Sequence, residues 1–385
     1  MLMKAIVNGR VLLPEGEADG KALLFGDRIV GLVSPEEART RAEEILDAEG
    51  RYVAPGLVDV HMHGYLGADT SDADPQGVRR MAQGVLENGV TSFLPTTMTV
   101  AWETLEQVFC QLRALKAESV RPDFSGAEIL GCHAEGPFIN PEKKGAQARE
   151  CILPPQAERI TPYADIVRLI TFAPEMPGGE AFIRALKAET DITLSIGHTC
   201  ANFAQATAAV ALGVNHATHL FNAMPPLAHR EPGTVGAALS GDVFCELIAD
   251  TFHVHPGLYP MLIRAKGDRL VLITDCTRAG GMPDGEYTLG GQPIFVKGIE
   301  CRLADGTIAG SVLRLNEAVR NLQRHGGIPM YQAVRCASLN AAESVGAGER
   351  KGSLTPGKDA DIALMDADCQ VWRTFVRGVC KFSRM

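Results

Sequence analysis

Imidazoles and carboxylates stand where buried-looking apolar runs end. They are His61 and His63 in VDVHMHG, His133 and Glu135 in GCHAEG, and His198 in SIGHT. His216 and His219 follow in NHATHLF, Asp250 and His253 in IADTFH, and Asp275 in LITDC. On an extended strand, residues two apart point to the same face, so His61 and His63 can grip one ion together. Imidazole and carboxylate suit divalent zinc, iron or manganese, and a catalytic site leaves one position for water. Such an ion draws the pKa of that water towards neutrality and polarises a carbonyl. A single H-x-H pair is a weak signal, because histidine commonly serves as a hydrogen-bonded polar residue. His133 and His216 read that way, as structural or supporting residues, and His255 and His325 read as solvated. The joint pattern is harder to attribute to packing, which would put Val, Ile or Leu at barrel strand ends. It favours a metal-dependent hydrolase. Cys200, Cys276 and Ser311 are poorer candidates, since isolated buried cysteines are common and AGSV lacks the G-x-S-x-G elbow.

Positioning these residues requires a regular scaffold. Short, nearly continuous apolar runs fall at 56–63, 90–96, 128–135, 166–175, 192–198, 215–221, 244–253 and 269–275. Helical patterns lie between most of them, for example GVRRMAQGVLENG, WETLEQVFCQLRALKAE and NFAQATAAVALG. This alternation predicts an α/β fold with a parallel sheet, and eight units fit a (β/α)8 TIM-like barrel whose strand ends converge on one mouth. A doubly wound open sheet is the alternative, but no G-x-G-x-x-G turn follows a strand. The ends of the chain differ. AIVNGRVLL and ALLFGDRIVGLV near the start, and ADIALMD and VWRTFVRGVCKF near the end, are β-like with turn signals. They predict a small β-sandwich domain of residues 1–54 and 350–385 beside a barrel of residues 55–349.

The bulk numbers narrow the partners. A net charge of −9 with no long basic run argues against nucleic acid and anionic membranes. No run of about 18 apolar residues suggests a membrane span, and the first residues lack a signal-peptide core. The 10 cysteines are scattered singly without a C-x-x-C pair, which predicts reduced thiols and a cytoplasmic protein. The acidic run SPEEARTRAEEILDAE reads as a solvated helix face, and Lys143 and Lys144 read as solvated loop charges.

VAPGLVDVHMHG resembles the strand-one signature of the amidohydrolase superfamily. HAEGPFINPEKKGAQ, GHT, ATHLFNAM, REPG, IADTFHVHP and LITDCT follow in order and resemble its amino-sugar-phosphate deacetylases over almost the whole chain. The resemblance implies that Glu135, His198 and His219 are the principal metal ligands. It implies that His61 and His63 serve a further metal position and that Asp275 is the catalytic carboxylate and completes the ligand set. One or two divalent ions per subunit are implied, zinc foremost, with iron or manganese as alternatives. Many members bridge two metals with a lysine at the end of strand four; LITFAPE has none, which leaves Glu135 as the natural bridge. The implied substrate is N-acetyl-D-glucosamine 6-phosphate, cleaved by metal-activated water, with Asp275 as general base and acid, to D-glucosamine 6-phosphate and acetate in amino-sugar catabolism.

Substrate contacts are implied for Ala146, Gln147, Asn222, Ala223, His253, Ile308, Ala309 and Gly310. Arg230 is implied to hold the phosphate across a homodimer interface, with His229 assisting. Several members have histidine where this chain has Gln147; an amide can donate to a carbonyl oxygen but cannot carry charge. Alternatives are N-acetylgalactosamine 6-phosphate as substrate, another amidohydrolase activity, or a non-catalytic scaffold. AEGPF and NAMPPLAHREPG argue against the second, and the complete ligand set against the third.

Overall fold

The apolar runs between residues 56 and 275 become strands because both faces of each can be buried. In the computed structural model, which describes residues 2–384, eight strands form one parallel barrel. They are β1 (Leu57–Met62), β2 (Val90–Thr97), β3 (Cys132–Glu135), β4 (Val167–Phe172), β5 (Thr193–Ile196), β6 (His216–Ala217), β7 (Phe244–Ile248) and β8 (Leu270–Ile273). Each pairs with the next in chain order. The ring closes where the Asp275 N–H donates to the His61 carbonyl and the His63 N–H to the Cys276 carbonyl, both at 2.9 Å. Crossover helices include Pro75–Gly84, Trp102–Ser119, Gly179–Glu189, Phe203–Ala211 and Tyr259–Lys266, where the periodicity predicts them.

Some strands are shorter than their apolar runs. The run at 128–135 breaks after Ile129, that at 215–221 supplies only His216–Ala217, and that at 244–253 ends at Ile248. Two residues past β5, β6 and β8 the chain turns sharply. His198, His219 and Asp275 there have φ of +47°, +28° and +51°, a region that costs about 1–3 kcal/mol per residue and clusters at functional sites.

Both termini build the predicted β layer, with different pairings. The Asn8-Gly9 turn does not close a hairpin: it carries the chain from a four-stranded sheet (Lys4–Val7) into a six-stranded one (Arg10–Leu13). VWRTFVRGVCKF is two strands, Val371–Val376 and Val379–Ser383, joined at Arg377-Gly378. Both turn residues have positive φ, as a tight two-residue hairpin turn requires. The acidic run is helical only over Pro35–Arg41, and Glu44–Asp47 is a strand beside Lys4–Val7. Ile6, Phe25, Val53, Ile362, Leu364 and Phe375 share one core between the two sheets. Ala363 and Met365, one residue out of phase, join the barrel core, so the two-residue period of this strand seals the sandwich to the barrel.

Buried charges lock the same junction. Lys351 Nζ lies 2.8 Å from Glu128, 2.9 Å from Asp359 and 2.7 Å from Asp361, while Arg350 pairs with Glu128 and Asp359. Burial opposes ionisation of Glu128, yet Arg350 and Lys351 hold its carboxyl down at about 2. Lys351→Met should cost about 3–5 kcal/mol, because the buried carboxylates lose their central cation. Thermal melts of variant and parent measure this; an unchanged midpoint would refute it.

An antiparallel sheet of Gly285–Leu289, Gln292–Lys297 and Glu300–Leu303, which the apolar runs do not predict, follows β8. Leu289, Ile294 and Cys301 pack with Met98, Ala146 and Ala309, so this sheet walls one side of the barrel mouth. Among the described residues, no helix is long and apolar enough to cross a membrane.

Candidate metal centre

The strand-end residues meet at the C-terminal mouth of the barrel, and their hydrogen bonds decide which nitrogen each imidazole presents. The Nδ1 atoms of His63 and His198 lie 3.2 and 2.7 Å from the carbonyls of Thr96 and Lys143. A carbonyl only accepts, so both rings carry their proton on Nδ1 and present a bare Nε2 inward. His61 Nδ1 is fixed in the same sense by the Glu246 carboxylate, 2.9 Å away. In the neutral rings the Nε2 atoms of His61 and His63, 3.4 Å apart, turn two lone pairs towards each other, a contact that a shared cation relieves. Donors at about 2.0–2.1 Å from a tetrahedral ion lie roughly 3.3 Å from one another, so the spacing fits one.

Two groups of donors face the mouth, His61 with His63 and Asp275, and Glu135 with His198 and His219, and a third, His61 with His133 and Glu246, is fully buried; within each, the donor atoms lie within 4.8 Å of one another. Glu135 faces both groups at the mouth. Its Oε1 is 3.0 Å from His219 Nε2, 3.3 Å from His198 Nε2 and 3.4 Å from His61 Nε2, and its Oε2 is 3.3 Å from His63 Nε2. Asp275 Oδ1 is 3.2 Å from His63 Nε2 and 3.5 Å from His61 Nε2. β4 offers no lysine to this space.

The electrostatics call for positive charge. Burial opposes charging His61, yet the carboxylates of Glu246, Asp275 and Glu135 outweigh it and raise the imidazole to about 9. His63 and His219 are raised in the same way against burial, through Asp275 and Glu135 for the former and mainly Glu135 for the latter. In return, and again against burial, the imidazoles hold Glu135 and Asp275 below the usual carboxylate range. Burial keeps His133 and His216, deeper in the barrel, neutral.

A cavity of about 350 Å³ opens over both groups, within the range of small-molecule sites. Ala146, Gln147, Asn222, Ala223, His253, Ile308 and Gly310 line it together with His63, Glu135, His198, His219 and Asp275. His61 lies wholly buried beneath it. Ala309 does not line it; it is packed against the extra sheet. His229 and Arg230 lie on an exposed loop outside the lining. Lys143, expected as a solvated loop charge, lines the cavity instead, its Nζ 3.3 Å from the Met224 carbonyl. Gln147 does more than line the wall. Its Oε1 accepts the Thr99 N–H at 2.6 Å and its Nε2 donates to Glu135 Oε2 at 2.5 Å. Gly310 is more than a turn residue: at φ +58° a Cβ would come within 2.7 Å of Thr277 and 3.0 Å of the Asp275 carbonyl. Glu246 is absent from the strand-end pattern because it lies mid-strand on β7, though an acid within the apolar run FCELIA is a visible flag for a buried role.

The model of the amidohydrolase family matches residues 52–381. N-acetylglucosamine-6-phosphate deacetylase of Bacillus subtilis is 40% identical over 365 residues, covering 93% of this chain and 92% of its own. N-acetylgalactosamine-6-phosphate deacetylase of Escherichia coli O157:H7 is 33% identical over 374 residues, covering 96% and 97%. Among solved structures, a mutant N-acetyl-D-glucosamine-6-phosphate deacetylase from Mycobacterium smegmatis, in complex with N-acetyl-D-glucosamine-6-phosphate, superposes with a TM-score of 0.88 at 31% identity. That similarity covers 99% of each chain.

Proposed function

The chain belongs to the amidohydrolase family, and we propose that it hydrolyses the acetamide of N-acetyl-D-glucosamine 6-phosphate to D-glucosamine 6-phosphate and acetate in amino-sugar catabolism. One observation carries the reading: a single carboxylate, Glu135, faces two donor groups at the floor of a ligand-sized cavity. The 40% identity to a deacetylase of that substrate supports the choice over the galacto sugar, whose relative is 33% identical.

Glu135, His198 and His219 would hold the metal essential to the reaction, and His61, His63 and Asp275 would hold a second ion where one joins it. Zinc fits best, while iron and manganese accept the same donors. A divalent ion bound there supplies Lewis acidity, activating water and polarising the acetyl carbonyl. Asp275 moves the proton. Its carboxylate, which stands at the mouth 3.2 Å from His63 Nε2, takes a proton from the attacking water and passes it to the sugar nitrogen as the C–N bond breaks. Asn222, Ala223, His253, Ile308 and Gly310 contact the sugar. The ten free cysteines support a cytoplasmic location.

Lys143 is the one lysine or arginine lining the cavity among the described residues, so a phosphate dianion needs further cationic help. Arg230 supplies it from a second copy of the chain in a homodimer, since a guanidinium donates paired hydrogen bonds to phosphate. Arg230→Ala should raise KM for the phosphorylated sugar at least about tenfold, the loss of one charge-assisted bond, and leave N-acetylglucosamine turnover nearly unchanged. Equal effects on both sugars would refute the phosphate role. The reading as a whole is tested by metal analysis of the purified protein together with acetate release from the two phosphorylated sugars. A metal-free protein, or release from neither sugar, would overturn it, and faster release from the galacto sugar would reassign the substrate.

A further inference from the structure

Glu246 has no exposed surface and stands on β7 within an apolar run. A buried carboxylate is costly unless its oxygens are bonded, and the bonds of this one are unusual in what they join. Oε2 accepts from His61 Nδ1 at 2.9 Å and from the His219 backbone N–H, also at 2.9 Å. His61 belongs to one of the groups at the mouth and His219 to the other, and Glu246 itself lies with His61 and His133 in a third. The Glu246 carbonyl further accepts the Leu220 N–H at 2.9 Å. The residue therefore grips the turn at His219, where φ is +28°, from both its side chain and its main chain. Its other neighbours are histidines: His216 Nδ1 is 3.8 Å from Oε1, His133 shares a close donor group with Glu246 and His61, and Oε1 has no bonded partner among the described residues.

We propose that Glu246 is the positioning residue of the centre, holding His61 in the tautomer that presents Nε2 and His219 in its strained turn, so that both donor groups keep one arrangement. The inference rests on the proposed metal centre and adds to it the residue that couples its two halves. A carboxylate behind a ligating imidazole fixes the ring and raises its basicity, and removing such a partner costs about 10–100-fold in metal affinity.

Wild type, Glu246→Ala, Glu246→Gln and a control, Ser195→Ala, are purified, analysed for metal per chain, titrated with a zinc chelator and melted. Glu246→Gln keeps the volume and one acceptor oxygen, which guards against loss of folding. Ser195→Ala removes bonds to His216 at 3.0 Å and to Thr218 at 2.5 Å in the same buried layer without touching a ligand. Glu246→Ala should release metal at chelator concentrations about 10–100-fold lower than the wild type, with Glu246→Gln, whose amide oxygen can stand at the Oε2 position, and Ser195→Ala close to wild type. A folded Glu246→Ala with wild-type chelator resistance would overturn the proposal. So would a loss in Glu246→Gln or Ser195→Ala as large as in Glu246→Ala, since that marks loss of charge or general loosening of the layer. A wild type that carries no metal refutes the metal centre itself, a separate result that ends this proposal too.

Discussion

Asp275→Asn is expected to lower kcat for acetate release by about 10²–10⁴-fold, the contribution of a positioned general acid–base group, while metal content stays near that of the parent. The side chain is held firmly enough for the substitution to be clean. Its backbone N–H donates to the His61 carbonyl at 2.9 Å and its carbonyl accepts the Ser311 N–H at 2.8 Å. Gly310 passes close behind it. An amide keeps the oxygen that faces His63 at 3.2 Å but has no basic lone pair to take a proton from water. The KM should change little, because Asp275 is asked to act on water and on the leaving nitrogen, not on the phosphate or the ring hydroxyls. Elemental analysis and steady-state kinetics on the same preparation separate the outcomes. Full activity would sink the proton-transfer role. Parallel loss of metal and activity would mean that Asp275 is a ligand first, and the base would have to be sought elsewhere in the lining.

Much of the barrel was legible because its strands are buried on both faces and so read as continuous apolar runs. The strand-end residues stood out against that background by chemical type alone, and the structure gathers His61, His63, Glu135, His198, His219 and Asp275 at one mouth. What stayed hidden depends on contacts made across the fold. Glu246 sits one layer below the mouth, where a search of strand ends does not look, and its partners His61 and His219 are 185 and 27 residues away. The Asn8-Gly9 signal is a genuine turn, but local chemistry cannot say that the two strands it joins belong to different sheets. Glu44–Asp47 reads as the tail of an acidic helix until Lys4–Val7 pairs with it. The sheet at 285–303 was legible in principle, since Gln292–Lys297 alternates buried and exposed residues after a Gly-Gly turn. The Gln147 amide is different again. Only the Thr99 N–H, 48 residues away, decides which end of it faces Glu135.

That last contact shapes the second large effect. Glu135→Gln is expected to weaken metal binding by more than about 100-fold, beyond the range for residues behind a ligand, and to abolish turnover with it. The orientation of the new amide follows from its neighbours. At the Oε2 position an NH2 group would confront the Gln147 NH2, whose own direction is set because its oxygen accepts the Thr99 N–H. Donor against donor is unfavourable, so the amide turns its nitrogen to the Oε1 position. There it faces His219 Nε2 and His198 Nε2, at 3.0 and 3.3 Å from the present oxygen, and occupies the lone pairs a metal would use. Removing Gln147 should therefore relieve part of the defect. In Glu135→Gln with Gln147→Ala the oxygen is free to turn towards the imidazoles, and metal affinity should recover by about 0.5–3 kcal/mol of coupling, the range for residues in one hydrogen-bond network. Metal titrations of the two single variants and the double variant complete the cycle. A Glu135→Gln protein with wild-type metal content would remove Glu135 from the centre. Strictly additive losses would leave Glu135 a ligand but free of any orientation imposed by Gln147.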